Sequence, residues 1–305
     1  MNRRQHLELA ALCRTVYWDV NMAAHSTFRT GSVVEAMVRT GTGEELAAVL
    51  RWLHRERVTW HVIGGGSNIL VTGRYREGVF IRLDGKVQDI LNERDGDAFL
   101  VRVSAGCSLA ALLGWCIRSN LGGLEFMAGI PGSVGGAIRM NAGAFGQAIG
   151  DVLEAIWCLN ERGEPVTVTR EEAAFAYRCT RLPEEPQVRM VITGGQFRLQ
   201  AADGCQVAAQ CRNIIAQRRR SQPQGMGSAG SFFKNPQGDF AGRLIEQAGL
   251  KGVTVGRAMV SPKHANFIVN TGGAMPEDIV GLMEKVRQKV FAHSGVLLEP
   301  EVRIY

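Results

Sequence analysis

The sequence predicts an α+β fold, not a doubly wound parallel sheet. Strand-like Trp60 to Ile63 runs into the turn Gly64-Gly65-Gly66-Ser67-Asn68, and the chain leaves it through Ile69-Leu70-Val71. A Rossmann fingerprint needs Gly-x-Gly-x-x-Gly to open a helix, whereas here the third glycine position is Ile69 and the turn joins strand to strand. The middle of the chain adds Val152 to Leu159, Pro165 to Thr169 and Val188 to Leu199, strand-like runs with short turns and mainly antiparallel signals. Helical stretches stand before, between and after these runs.

Taken in order, Thr42 caps a helix with Glu44 and Glu45 in its first turn and Leu46, Val49, Leu50 and Leu53 at helical spacing. Val79 to Leu83 and Phe99 to Val103 are expected to form a strand pair, the second alternating Phe99, Val101, Val103. Ser108 caps a helix with Leu109, Leu112, Leu113, Cys116 and Ile117 on one face, stopped by Gly122-Gly123. A long glycine-rich loop follows, and a domain boundary is expected near Ala201 to Gly204. Beyond it come a helix from Val207 to Arg220, a loop from Ser221 to Ser231, a helix around Phe240 to Ala248, and strands near Val253 to Val260 and Asn266 to Val269. A helix from Pro276 to about His293 carries Ile279, Leu282, Met283, Val286 and Val290 as one apolar stripe. In the closing strand Val302 and Ile304 share one face, leaving Glu301 and Arg303 on the other.

The bulk composition excludes several classes. With 305 residues, 46% hydrophobic and 21% charged, the chain is globular material for two or three domains. No window approaches the ~20 apolar residues of a membrane helix, and the amino end lacks a signal peptide's apolar stretch, so a cytoplasmic protein is expected. The 7 cysteines are odd in number and include no Cys-x-x-Cys pair, so neither a disulfide framework nor a zinc site is indicated. The formal charge of +6 favours anionic partners weakly. Its densest cluster, Arg218-Arg219-Arg220, ends an amphipathic stretch where cations complement a helix C-terminus, and it lacks the interleaved aromatics of a nucleic-acid patch.

Chemistry concentrates in the glycines. Gly129 to Gly146 packs six glycines among small and apolar residues, and Gly64-Gly65-Gly66 lies about sixty residues earlier. Glycine admits φ > 0 and lets main-chain N–H groups approach a ligand, at an entropic cost. Gly64 to Gly66 alone also reads as a tight hairpin; two runs so far apart suggest one extended ligand, with a dinucleotide as the natural candidate.

Seven segments stand in order over essentially the whole chain: Ser26-Thr27-Phe28-Arg29-Thr30-Gly31, Ile63-Gly64-Gly65-Gly66-Ser67-Asn68, the run from Gly129 through Ile130, Gly132, Ser133, Gly135 and Gly136 into Asn141-Ala142-Gly143-Ala144, Tyr177-Arg178, Gly230-Ser231-Phe232-Phe233-Lys234-Asn235-Pro236, Lys263-His264-Ala265-Asn266-Phe267, and Glu299-Pro300-Glu301-Val302. Together they resemble the UDP-N-acetylenolpyruvoylglucosamine reductase (MurB) family. The resemblance implies a two-subdomain FAD-binding fold of the vanillyl-alcohol-oxidase type, residues 1–84 and 85–203, with a third α+β domain, 204–305, for the UDP-sugar. It further implies a monomer with FAD as cofactor and NADPH as co-substrate. The substrate would be UDP-N-acetylglucosamine enolpyruvate, reduced to the lactyl ether for peptidoglycan synthesis, with no metal, nucleic acid or membrane involved.

By the same resemblance, Gly64, Gly65, Gly66, Ser67, Asn68, Ile130, Gly132, Ser133, Gly135, Gly136, Asn141, Ala142 and Arg218 serve FAD. Arg178 would support the carboxylate as it becomes an enolate, Ser231 would protonate the carbanionic carbon, and Glu301 would orient the carboxylate together with Arg178. Tyr177, Lys234 and Asn235 are expected substrate contacts, Tyr177 as an aromatic that fixes Arg178. Taken singly these residues read as a surface arginine beside Arg181, a loop serine, and a strand glutamate paired with Arg303. The short interval after Arg178 matches the type II form; Thr180, Leu182, Ser32 and Ser221 depart from the family's usual residues, and Ser221 leaves Arg218 or Arg219 as the cation where relatives often carry lysine. Two rival readings are another FAD-dependent oxidoreductase of the same superfamily and a non-catalytic flavin- or UDP-sugar-binding module.

Overall fold

The computed structural model describes residues 1–305, the side chain of Val87 excepted. Its contacts divide the chain into two units, one of Met1–Trp18, Ala36–Gly65 and Glu77–Ala216, the other of Asp19–Glu35, Gly66–Arg76 and Gln217–Tyr305. The division falls inside the helix Gly204–Ser221, later in the chain than the Ala201 to Gly204 region singled out in the sequence.

A four-stranded sheet runs in the order Thr15–Asn21, Val33–Thr40, Tyr75–Leu83, Trp60–Ile63, the last two parallel. The helix Gly43–Arg55 belongs to the same core: Thr42 accepts from Glu45 N at 3.2 Å, and Leu46, Val49, Leu50 and Leu53 are buried with Trp52. Each such side chain contributes about 1.5–3 kcal/mol on burial. The second core surrounds an antiparallel sheet ordered Pro165–Thr169, Leu153–Asn160, Met190–Ala201, Ala98–Ser104, Leu91–Asp95, with Leu121–Gly122 also on Met190–Ala201. Val79 to Leu83 and Phe99 to Val103 are therefore strands as expected, yet in different sheets, not a pair. Burial makes three of the thiols inert: it pushes Cys13 up to about 11 and Cys116 and Cys158 up to about 12.

Two further expectations change. The helix from Leu109 stops at Arg118, before Gly122-Gly123, because Asn120 takes the left-handed conformation (φ 55) otherwise given to glycine. The long glycine-rich stretch is not all loop: Ser133 caps a helix Val134–Arg139, whose Val134, Ala137 and Ile138 are buried. Burial there outweighs the poor helix propensity of Gly135 and Gly136.

In the second unit the strands Thr254–Val255, Ala258–Val260 and Ile268–Asn270 form an antiparallel sheet. The helix Pro276–Ser294 buries the predicted stripe Ile279, Leu282, Met283, Val286 and Val290 in the same core. At the chain's end only Arg303–Ile304 is strand, parallel to Ile69–Leu70. Val302 reaches the core but Ile304 is exposed, so the expected alternation ends after one residue. No helix of the described residues is long and apolar enough to cross a membrane.

Candidate functional site

In the first unit the two glycine segments meet main chain to main chain. A Cβ at Gly64 would lie 2.5 Å from Ser133 Oγ, and one at Gly65 3.0 Å from Gly132 Cα. Ser133, the cap of Val134–Arg139, accepts from Gly136 N at 3.4 Å, and Gly132 O accepts from Leu109 N at 3.1 Å. Gly65 is exposed while Gly64 and Gly132 are half-buried, so the junction offers peptide groups and little side chain. That lining fits an extended anionic group such as the FAD diphosphate. Ile130 and Ala142 are half-buried beside the same core. Gly135 has a packing reason of its own, since a Cβ there would sit 2.7 Å from Ala105 Cβ.

Tyr177 and Arg178 form the two-residue turn of a hairpin, Ala174–Ala176 with Cys179–Arg181. Arg178 takes φ 56, a conformation costing a non-glycine residue about 1–2 kcal/mol, and the surroundings hold it there. Its Nη1 donates to Gly143 O at 3.0 Å and its guanidinium lies 5.3 Å from the centre of the exposed Tyr177 ring. The predicted FAD contact Asn141 anchors this hairpin: Nδ2 donates to Ala176 O at 3.0 Å and Oδ1 accepts from Gly150 N at 3.1 Å. Buried Thr180 adds a bond to Ile138 O at 2.5 Å. The segments 138–150 and 174–181 are thus fastened together, with Arg178 at their tip.

The second unit brings Ser231 and Glu301 onto neighbouring segments. Glu301 N donates to Phe232 O at 2.8 Å and Lys234 N to Glu299 O at 2.9 Å. The predicted FAD contact Asn68 holds the same peptide, its Nδ2 donating to Glu301 O at 3.2 Å while its O accepts from Arg303 N at 3.1 Å. Gly66, at φ 68, lies so close to the His25 carbonyl that a Cβ would fall 1.9 Å from its oxygen. Lys234 pairs with Glu299 across the exposed surface, a contact of at most about 1 kcal/mol. Asn235 Oδ1 accepts from Ala241 N at 3.1 Å, at the start of the helix Ala241–Gln247. Arg218 sits half-buried in the last turn of Gly204–Ser221, and Ser67 is half-buried in the glycine turn.

Asn266 and His264 are the residues that sequence reasoning quoted without giving them a part. Asn266 Oδ1 accepts from Phe233 N at 2.9 Å and its Nδ2 donates to Phe233 O at 2.8 Å. His264 Nδ1 accepts from Asn266 N at 3.3 Å, and its ring packs on Phe267. Burial first, and Lys251 second, holds His264 below its usual 6.5, favouring the neutral ring this bond requires. The unfolded chain therefore takes up the proton first as pH falls, so this contribution to stability is full above 6.5 and is lost below it. We expect His264→Asn to flatten the fall of the urea midpoint between about pH 7 and 5; an unchanged slope would remove His264 as its cause.

A family profile described as UDP-N-acetylenolpyruvoylglucosamine reductase, C-terminal domain, matches residues 222–305, and an FAD binding domain profile matches residues 34–169. Over 283 residues the chain is 41% identical to the UDP-N-acetylenolpyruvoylglucosamine reductase of Carboxydothermus hydrogenoformans, covering 93% of this chain and 91% of that one. The reductase of Syntrophobacter fumaroxidans is 40% identical over 289 residues, 94% of this chain and 83% of its own. The crystal structure of the reductase from Thermus caldophilus, 33% identical, aligns with a TM-score of 0.78 over 94% of this chain and 97% of that one. A structure of alkyldihydroxyacetonephosphate synthase, 15% identical with a TM-score of 0.50 over 66% of this chain and 41% of that one, shares the fold alone.

Proposed function

The chain belongs to the UDP-N-acetylenolpyruvoylglucosamine reductase family, and from that premise we propose how its residues divide the reduction of the enolpyruvyl ether of UDP-N-acetylglucosamine. The enzyme is an FAD-dependent oxidoreductase with NADPH as reductant, and FAD, when bound, would supply the hydride that the ether's terminal carbon receives. Gly64, Gly65, Gly132 and Ser133 hold the FAD diphosphate through main-chain groups, with residues 1–84 and 85–203 as the FAD-binding parts and 204–305 as the UDP-sugar part. Arrival of hydride places negative charge on the carbon beside the carboxylate. Arg178 neutralises the resulting enediolate through two N–H donors, Glu301 orients it, and the Ser231 hydroxyl delivers the proton to carbon.

The observation that supports this division is the main-chain bond from Glu301 N to Phe232 O, which makes the segments carrying the proposed proton donor and the proposed orienting carboxylate neighbours. The protein is expected to purify yellow and to oxidise NADPH only when the enolpyruvyl substrate is added. In D2O the product should carry one solvent-derived deuterium at the carbon next to the carboxylate; deuterium at the terminal carbon instead would overturn the assignment. Lys234 and Asn235 contact sugar or phosphate oxygens in this reading, and the protein acts as a monomer in the cytoplasm. Gly64→Ala should lower the flavin-to-protein absorbance ratio, because the added methyl displaces the Ser133 hydroxyl and with it a helix cap worth about 1 kcal/mol. Full flavin content in that variant would argue against the cradle.

A further inference from the structure

We propose that Asn266 is a positioning residue for this reaction: its carboxamide clamps the peptide groups of Phe233 and so sets the Ser231 hydroxyl against Glu301. The inference rests on Ser231 being the proton donor. Asn266 is 3% exposed, among Phe232, Phe233, Ala265 and Phe267, all buried. A carboxamide in such surroundings costs about 1–3 kcal/mol unless its groups are bonded. Here they are: Oδ1 takes the Phe233 N–H at 2.9 Å, Nδ2 reaches the Phe233 carbonyl at 2.8 Å, and the Asn266 carbonyl takes the Phe232 N–H at 2.7 Å. The side chain thus acts as a strand edge for a single residue.

On the opposite side, Phe232 and Lys234 bond to Glu301 and Glu299, so the segment after Ser231 is gripped from both flanks. Gly230, at φ 78, turns the chain sharply just before Ser231, which leaves the residues after the serine to set its direction. A leucine has the same branched skeleton as Asn266 but would leave both Phe233 groups without these partners. Core packing alone therefore does not account for an asparagine here. Proton transfer to carbon is sensitive to such register, since misplacement by about 1 Å costs roughly 10²-fold.

Two variants of the FAD-loaded enzyme test this, with its two half reactions followed by stopped-flow absorbance of the flavin. Asn266→Leu should slow reoxidation by substrate roughly 10²-fold and leave reduction by NADPH unchanged. Asn266→Asp should be slow at high pH and recover as pH falls, because a protonated carboxyl restores both the donor and the acceptor facing Phe233. The ionisable groups on the neighbouring segments are His264, with Lys251 and Glu246 acting on it, and Lys234, Glu299 and Glu301 opposite. All are present in the wild type, so the readout is the difference between the two pH profiles. If Asn266→Leu fails to fold, the Asn266→Asp profile decides. The proposal falls if that profile matches the wild type, or if both half reactions slow by the same factor. Ser231→Ala run alongside separates the two readings: a fast Ser231→Ala sinks the proton-donor assignment, whereas a slow Ser231→Ala with wild-type Asn266 variants sinks this one.

Discussion

Replacing Ser231 by alanine is expected to slow reoxidation of the flavin by substrate about 10²- to 10⁴-fold, the usual contribution of a positioned general acid. Reduction by NADPH should stay at the wild-type rate, since no part of that step draws on the Ser231 hydroxyl. A serine hydroxyl is a poor acid in water, but the carbon it would serve in the proposed reaction is an enolate carbon, basic enough for the transfer to run downhill. What the protein supplies is placement: Ser231 is half-buried, and the peptide after it is bonded to Glu301 on one flank and Asn266 on the other. The solvent isotope effect on wild-type reoxidation should disappear or change sharply in the variant, as water takes over the delivery. Wild-type reoxidation by Ser231→Ala would remove this residue from the chemistry.

Arg178 carries the second large effect. Lysine at this position keeps the charge but loses the planar fork that matches two carboxylate oxygens, so Arg178→Lys should lower kcat about 10²- to 10³-fold. Arg178→Gly separates chemistry from folding. Glycine accepts φ 56 without the penalty of about 1–2 kcal/mol, which offsets the lost bond to Gly143 O, so Tm should stay close to the wild type while turnover collapses. Should Arg178→Lys turn over normally, the guanidinium would be a fastening for the 138–150 segment and nothing more. A fall in Tm with kcat intact would point the same way.

Much of the fold was legible as local pattern. The helix Gly43–Arg55 starts one residue after its predicted cap, and Pro276–Ser294 buries the five residues of its predicted stripe, because capping and helical periodicity act within a few turns of chain. Partners were not legible. Val79 to Leu83 and Phe99 to Val103 both read as strands, yet they do not pair with each other: the first pairs with Trp60–Ile63, and the second, besides its neighbour Leu91–Asp95, with the distant Met190–Ala201. The site divides in the same way. That Gly64 and Gly65 lie near Ser133 and Gly132 follows from no local pattern, nor does it follow that Asn141 and Asn68, which the resemblance gives to FAD, also fasten the Arg178 hairpin and the Glu301 peptide. Asn266 gave no signal at all, being one asparagine within a motif.

The sequence by itself determined what the chain is made to handle: paired glycine bends, a serine, an arginine and a closing glutamate in an order that names the family. Only the tertiary structure decided which of them meet and what holds them, for instance that residue 266 grips residue 233 while residue 301 grips residue 232. The reason is the range of the forces. Backbone preference and side-chain period are set by near neighbours, but a hydrogen bond across 33 positions exists only once the intervening chain has packed and excluded water from it.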